Sequence, residues 1–208
     1  MKRIILFLSA IFSCFILSAQ TYQPLTAPQQ QQLFTQLAAP VASLQCQFEQ
    51  EKNSSMLVDV VRSKGTLSFL APNQMRWEYT SPQTTFFIYS KGSVISRNAQ
   101  GEILRQSNRM VQEMSKLILS LLSGDALRSE KQFKVQSFDN GSQYKLLLTP
   151  INSRLKSMFS QIEIYLNRST YLANTIILHE AGNDSTIIRF SNHKLNQKLP
   201  QSLFEINQ

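Results

Sequence analysis

The sequence predicts a mainly β protein, a long antiparallel sheet of open-barrel size with one helix before it and one inserted in it. First, apolar and polar residues alternate with the period of a strand near residue 43, where Leu44, Cys46 and Phe48 share one face. Second, turn-forming clusters at 139–141 and 182–184 separate later apolar segments. Third, no crossover helices alternate with the strands, which excludes a doubly wound parallel sheet.

The N-terminus has the features of a cleaved secretory signal. A basic pair at residues 2–3 precedes an apolar run at 4–17 and the small residues 18–19. We therefore predict a signal peptide over 1–19 and a single domain over 20–208. This predicts a non-cytoplasmic protein.

The two cysteines have different contexts. Cys14 lies within the signal, where the bulky Phe12 disfavours a lipidation site. Cys46 is then the single cysteine of the mature chain, so an intramolecular disulfide is excluded and the core must stabilise the fold. A lone cysteine on the apolar face of a strand is typical of a small buried residue.

A first helix is predicted to begin after Thr26, which can cap it, with Pro28 in its first turn. Leu33 and Leu37 recur at helical spacing, and Pro40 ends or kinks the helix.

Strands follow at short intervals after the first one. They are predicted at 56–61, 65–70, 74–79, 85–89, 93–97, 133–138, 144–149, 161–166, 173–179 and 185–191.

One segment, 110–122, has the period of a helix instead. Its apolar stripe repeats every three or four residues, and Gly124 can end it. The stripe includes Met110, Met114, Leu117, Ile118 and Leu121. A helix packed on the concave side of such a sheet either covers a cavity or fills it.

The charge and the motifs exclude several classes of function. The formal net charge is +8, but the basic residues are scattered and form no dense stripe, so we expect no nucleic-acid partner. His179 and His193 have no metal-ligand spacing, and no phosphate-cradling glycine motif is present. Nothing selects Glu78 and Glu163 as a catalytic carboxylate pair over the other acids. We therefore predict no enzymatic activity, no metal and no cofactor.

Aromatic residues and methionines lie largely on the predicted strands and on the 110–122 helix. Rigid rings together with flexible thioethers suit a pocket for apolar chains of variable shape. An ordinary packed core explains the same residues, and composition alone does not separate the two readings.

Short motifs spread over nearly the whole mature chain carry a family resemblance. They are Phe48-x-Gln50, Gly65-Thr66-Leu67-Ser68-Phe69, Pro72-Asn73-Gln74-Met75-Arg76-Trp77, Pro82, Leu148-Thr149-Pro150, Ile162-x-Ile164 and Leu199-Pro200-x-x-x-Phe204. In this arrangement the chain resembles the LolA family of periplasmic outer-membrane lipoprotein carriers.

The resemblance implies an unclosed antiparallel β-barrel of about eleven strands, lidded by α-helices, with a hydrophobic cavity for the acyl chains of lipoproteins. It also implies that an inner-membrane ABC transporter supplies the cargo, that an outer-membrane acceptor receives it, and that the carrier is a monomer without turnover of its own. A similar shuttle for another acyl lipid or glycolipid remains the alternative, because a fold alone does not fix a function.

On this resemblance the 110–122 helix is a lid or fills the barrel, and Phe69, Trp77, Phe87 and Tyr89 are candidate wall residues of the cavity. The family often has a basic residue before the proline matched by Pro72, where it can hydrogen-bond the lid closed. Ala71 stands there in this chain and has no such donor.

Overall fold

The computed structural model describes residues 21–104, 115–120 and 132–205. Within those ranges eleven strands form one continuous antiparallel sheet. The strands are β1 (Gln23–Pro24), β2 (Ser43–Asn53), β3 (Val61–Leu70), β4 (Gln74–Ser81), β5 (Thr85–Ser90), β6 (Ser93–Asn98), β7 (Phe133–Asp139), β8 (Gln143–Pro150), β9 (Phe159–Asn167), β10 (Ala173–Glu180) and β11 (Ser185–Leu195).

The strand order is β1-β7-β8-β9-β10-β11-β2-β3-β4-β5-β6. Sequential hairpins build both halves, and the pairing of β11 with β2 joins them. The terminal strands β1 and β6 do not pair with each other, so the barrel is unclosed. The predicted fold class, a mainly β protein with an unclosed antiparallel β-barrel of about eleven strands, is confirmed.

The first helix, α1 (Ala27–Leu37), forms where its sequence signals predict. The side chain of Gln29 accepts a hydrogen bond from the backbone N–H of Thr26 at 2.9 Å, which satisfies a donor at the helix start. Leu33 is buried, while Leu37 packs against the core at the other end of the helix. The helix ends three residues before Pro40.

Residues 115–120 are helical, in agreement with part of the helix predicted over 110–122. We name this described part α2. Leu117, Ile118 and Leu119 are buried in the main core, whereas Lys116 is exposed. Three predicted stripe residues, Met110, Met114 and Leu121, lie outside the described residues, as does the predicted signal peptide.

The strand predicted at 56–61 is wrong. The ladder between β2 and β3 ends at the pair Lys52 and Val61, so residues 54–60 form the loop of a hairpin. The segment is apolar, but a strand also needs a neighbouring strand to pair with, and this segment has none because the ladder has already ended. The prediction also missed β1 and the four-residue helix α3 (Ser153–Lys156), which are too short to show a period.

The alternation of each strand places one set of side chains on the inner face of the sheet and the other outside. The inner set forms the main core, together with α1 and α2. The outer face is covered in one place, where the 3₁₀ helix Gln201–Phe204 contacts β4 and β5. There Phe204 and Ile88 are almost fully buried. Among the described residues, no helix is both long and apolar enough to cross a membrane.

Candidate functional site: an apolar cavity

The main feature of the inner face is a cavity of about 340 Å³. Its walls come from the inner faces of β2, β3 and β8 to β11, and Ile118 of α2 closes one side. The described wall residues are mainly aliphatic and include Leu67, Leu146, Ile164 and Ile176. A cavity of this volume and lining suits the hydrocarbon part of a ligand.

The cavity opens at the end of the barrel where β11 finishes and β2 begins. Leu37 at the end of α1 and Pro40 three residues after it line one side of this mouth, and Tyr171 in the β9–β10 loop lines the other. Tyr171 has φ +58° and stacks on Tyr144, with ring centroids 6.1 Å apart. These contacts hold an aromatic ring at the mouth.

Polar groups line the mouth and not the depth of the cavity. They come from Gln36, Thr170, His193 and Asn196. Nε2 of His193 lies 3.0 Å from the carbonyl oxygen of Ala173, which fixes the ring against β10. The arrangement has an apolar interior and a polar rim, as an amphipathic ligand requires.

An aromatic cluster fills the barrel beyond the cavity. The rings of Phe48 and Trp77 are 4.2 Å apart, and Tyr79 meets Phe48 edge-on at 5.3 Å. Trp77 also contacts Phe190 at 6.2 Å, and Phe190 is itself a cavity wall. The cavity therefore occupies only one end of the barrel, and rings occupy the other.

Tyr79 and Trp77 carry the polar atoms of this cluster. Burial raises the pKa of Tyr79, against smaller opposing contributions from Trp77 and Gln50. The Tyr79 hydroxyl donates to Oε1 of Gln50 at 3.0 Å. Nε1 of Trp77 has no partner of hydrogen-bond geometry among the described residues.

The predicted site residues that the structure describes fall into two groups. Ile118 lines the cavity. The others that the structure describes belong to the core or pack against it on the same face: Phe69, Trp77, Phe87, Tyr89 and Leu117. Tyr89 also lines a second recess of about 230 Å³, with Lys116 of α2 on its other side. A role of these residues in acyl binding stays a prediction.

Sequence reasoning missed most of the cavity wall. Ile164, Ile176 and Phe190 alternate with outward residues on β9 to β11, so their inward direction was readable from the sequence. Tyr171 and His193 had no such signal, because a loop and a strand end bring them to the mouth.

Cys46 also lines the cavity, but the structure gives it no catalytic setting. Burial raises the pKa of its thiol to about 12, and the hydrogen-bonding nitrogen of His193 is directed to Ala173 instead. A protonated thiol is a poor nucleophile. Cys46 acts here as a small apolar wall residue.

The acids considered as a catalytic pair lie in separate ionic contacts on the outer face. Glu78 pairs with Arg76 at 2.9 Å on β4. Glu163 on β9 contacts Lys145 at 2.7 Å and His179 at 2.9 Å. Four strands separate β4 from β9 in the sheet. Within the described ranges, no three His, Cys, Asp or Glu side chains gather as a metal site would require.

Comparisons with known proteins agree with this geometry. The curated "Outer-membrane lipoprotein carrier protein" of Pseudoalteromonas translucida (strain TAC 125) is 25% identical over 193 residues, which cover 91% of this chain and 88% of that protein. Among solved structures, a putative outer membrane lipoprotein-sorting protein domain from Vibrio parahaemolyticus aligns with a TM-score of 0.52 and 10% identity, covering 86% of this chain and 96% of that one.

A chain of the Pseudomonas aeruginosa MucA/MucB complex shares the fold with a TM-score of 0.50 and 12% identity, covering 86% of this chain and 61% of that one. Residues 39–207 match the family described as "Outer membrane lipoprotein carrier protein LolA". That match spans the first strand of the cavity wall through the C-terminal 3₁₀ helix, and on this evidence the chain belongs to the LolA family.

Proposed function

We propose that this protein is a periplasmic carrier that binds the acyl chains of lipoproteins in its cavity and takes them from the inner membrane to the outer membrane. The observation that carries the proposal is an apolar cavity with a polar mouth in a chain of the LolA family. The proposal includes cleavage of residues 1–19 and a single carrier domain over 20–208.

The physical task is to hide hydrocarbon from water and still release it. Each buried methylene contributes about 0.8 kcal/mol, so a long chain is held firmly by the aliphatic wall alone. The polar rim gives the linkage end of the ligand hydrogen-bond partners while its tail stays in the barrel. The carrier binds and releases its ligand without making or breaking a covalent bond, so we infer no enzymatic turnover and no cofactor.

The partners follow from the direction of transport. We propose that an inner-membrane ABC transporter loads the cavity and that an outer-membrane acceptor empties it. Cells depleted of the protein are then expected to retain outer-membrane lipoproteins in the inner membrane. Normal lipoprotein sorting in depleted cells would contradict the carrier role.

The direct test is native mass spectrometry of the protein isolated from its own envelope. Acylated lipoproteins should co-purify with the wild type. Ala173→Trp places a ring in the cavity mouth and should remove the bound species. Ala181→Trp, in the exposed β10–β11 turn, is the matched control and should keep them. Equal occupancy in both variants would place the ligand elsewhere.

A second candidate function is a shuttle or binder of another acyl lipid or glycolipid. The size of the cavity favours it, because about 340 Å³ lies at the lower end of ligand sites and suits one chain better than several. Displacement of α2, which supplies Ile118 to the wall, would enlarge the space. Free lipid without any lipoprotein in the mass spectrum would support this alternative.

A further inference from the structure

The loop between β2 and β3 presents an apolar tip to solvent. Met56 is 88% exposed, Leu57 52%, and Val58 fully exposed. Val61, which follows at the start of β3, is also exposed, so half of the strongly exposed large apolar side chains among the described residues lie on this hairpin. Exposed apolar side chains that are grouped in this way are typical of a site that contacts a protein or a membrane.

The tip is held in place by the neighbouring turn. Asp184, at the end of the β10–β11 turn, accepts hydrogen bonds from the backbone N–H of Ser55 at 2.7 Å and from the Ser54 hydroxyl at 2.8 Å. The N–H of Leu57 donates to the carbonyl oxygen of Ser54 at 3.0 Å. These bonds order the loop before any partner binds, which lowers the entropic cost of binding.

In the two ion pairs behind the tip, the basic side chain is more exposed than its acidic partner. Arg62 is 72% exposed, while its partner Glu51 is 31% exposed. Lys52 is 38% exposed and Glu180 only 13%. The ion pairs therefore present their positive members to solvent, and the carboxylate of Asp184 is already occupied by the two serines.

A second basic group lies at the same end of the barrel. Helix α3 carries Arg154 and Lys156, both exposed. The segment that follows this helix is joined to the β10–β11 turn by the hydrogen bond from the N–H of Ala181 to the carbonyl oxygen of Met158, at 3.0 Å. Asp59, next to the tip, is the exposed acid of the same loop, whereas Arg62, Arg154 and Lys156 are three exposed cations at this end. An apolar projection with more exposed cations than acids around it has the pattern of an interfacial membrane contact.

We propose that the hairpin tip, Met56 to Val58, inserts into the surface of an anionic phospholipid bilayer, with the surrounding cations on the headgroups. A projecting tip needs no preformed groove in a lipid surface, whereas a protein partner would have to supply one. The tip lies at the end of the barrel opposite the cavity mouth. In this orientation the mouth faces away from the bilayer.

The test is co-sedimentation of the isolated protein with vesicles of phosphatidylethanolamine and phosphatidylglycerol, compared with vesicles of phosphatidylcholine alone. The wild type should bind the anionic vesicles, and added salt should weaken the binding. The combined variant Met56→Ser, Leu57→Ser, Val58→Ser should bind the anionic vesicles at least about tenfold more weakly than the wild type. No binding of the wild type to anionic vesicles would overturn the proposal.

A matched control and a second measurement isolate the tip. Ile103→Ser with Leu104→Ser removes two other exposed apolar side chains and should leave vesicle binding unchanged. A fluorophore on Leu57→Cys should shift to the blue on anionic vesicles. Cys46 is buried, so brief labelling should place the fluorophore on the tip. An unshifted emission would overturn the proposal.

The result is distinguishable from failure of the carrier function. The tip variant should still retain its acyl ligand, because the cavity is at the other end. If Ala173→Trp, which closes the mouth, abolished vesicle binding while the tip variant bound normally, the membrane contact would be the mouth and the proposal would be wrong.

Discussion

The ring of Phe48 on β2 lies against the backbone of Gly65 on β3, its direct cross-strand neighbour. A Cβ atom at Gly65 would come within 2.5 Å of Cζ of Phe48 and would overlap the carbonyl oxygen of Glu78 on the other side. The aromatic cluster that fills one end of the barrel therefore depends on a position without a side chain.

Gly65→Ala should destabilise the fold by about 3 kcal/mol, because neither a buried ring nor a ladder carbonyl can move away cheaply. Urea unfolding measures the change. Gly92→Ala is the control: its φ of +81° strains alanine, but no atom lies near the added Cβ, so its cost should be about 1 kcal/mol. Equal costs in the two variants would contradict the close approach of Phe48.

Glu163 is the centre of an ionic cluster on the outer face. Partial burial by itself raises the pKa of Glu163, but hydrogen bonds from Lys145, Tyr165 and His179 outweigh it and lower the pKa from 4.5 to about 2. A folded-state pKa below the unfolded value stabilises the fold above pH 4.5, and this stability is lost as the pH falls through about 2.

Glu163→Gln should therefore cost about 2 kcal/mol of unfolding free energy near neutral pH, after allowance for the partly exposed partners. The difference from the wild type should shrink as the pH is lowered from 4.5 toward 2. Urea unfolding at several pH values measures this. Glu49→Gln, which breaks an exposed pair with Lys64, should have a far smaller effect. A difference that does not change with pH would contradict the assigned pKa.

Cys46 should act as a reporter of the cavity. Because burial raises the pKa of its thiol from 9.0 to about 12, the thiolate fraction at mildly alkaline pH is on the order of a thousandfold lower than in the unfolded chain. With residues 1–19 removed it is the single thiol. Reaction with a small disulfide reagent should be slow in the native protein and slower still with acyl ligand bound. A rapid reaction of the native protein with the reagent would show that the cavity wall is open to water at Cys46.

Ile118 is the predicted helix-stripe residue that the structure places on the cavity wall. Ile118→Glu puts a carboxylate among aliphatic side chains and should weaken binding of a fluorescent fatty acid by about tenfold or more. Lys116→Glu, on the exposed side of α2, should bind normally. Circular dichroism checks that both variants are folded, and normal binding by a folded Ile118→Glu would contradict the assignment of α2 to the wall.

Local patterns were sufficient for much of the architecture. The alternation at Leu44, Cys46 and Phe48 predicts both the strand and the face that it buries, because successive side chains in a strand point to opposite sides. The cap at Thr26 likewise located α1. These signals depend only on neighbours in the chain, and the fold class, the sheet and the family could therefore be identified from the sequence.

Only the tertiary structure decided which inward side chains pack and which leave space. Trp77 and Cys46 follow the same alternation, yet the first packs on Phe48 and the second faces the cavity. The reason is that large rings meet around Trp77, whereas mainly aliphatic side chains surround Cys46 and leave space between them. Residues 56–58 are equally apolar, but the register of β2 with β3 leaves them outside the ladder. Such outcomes depend on partners distant in the chain, which no local period encodes.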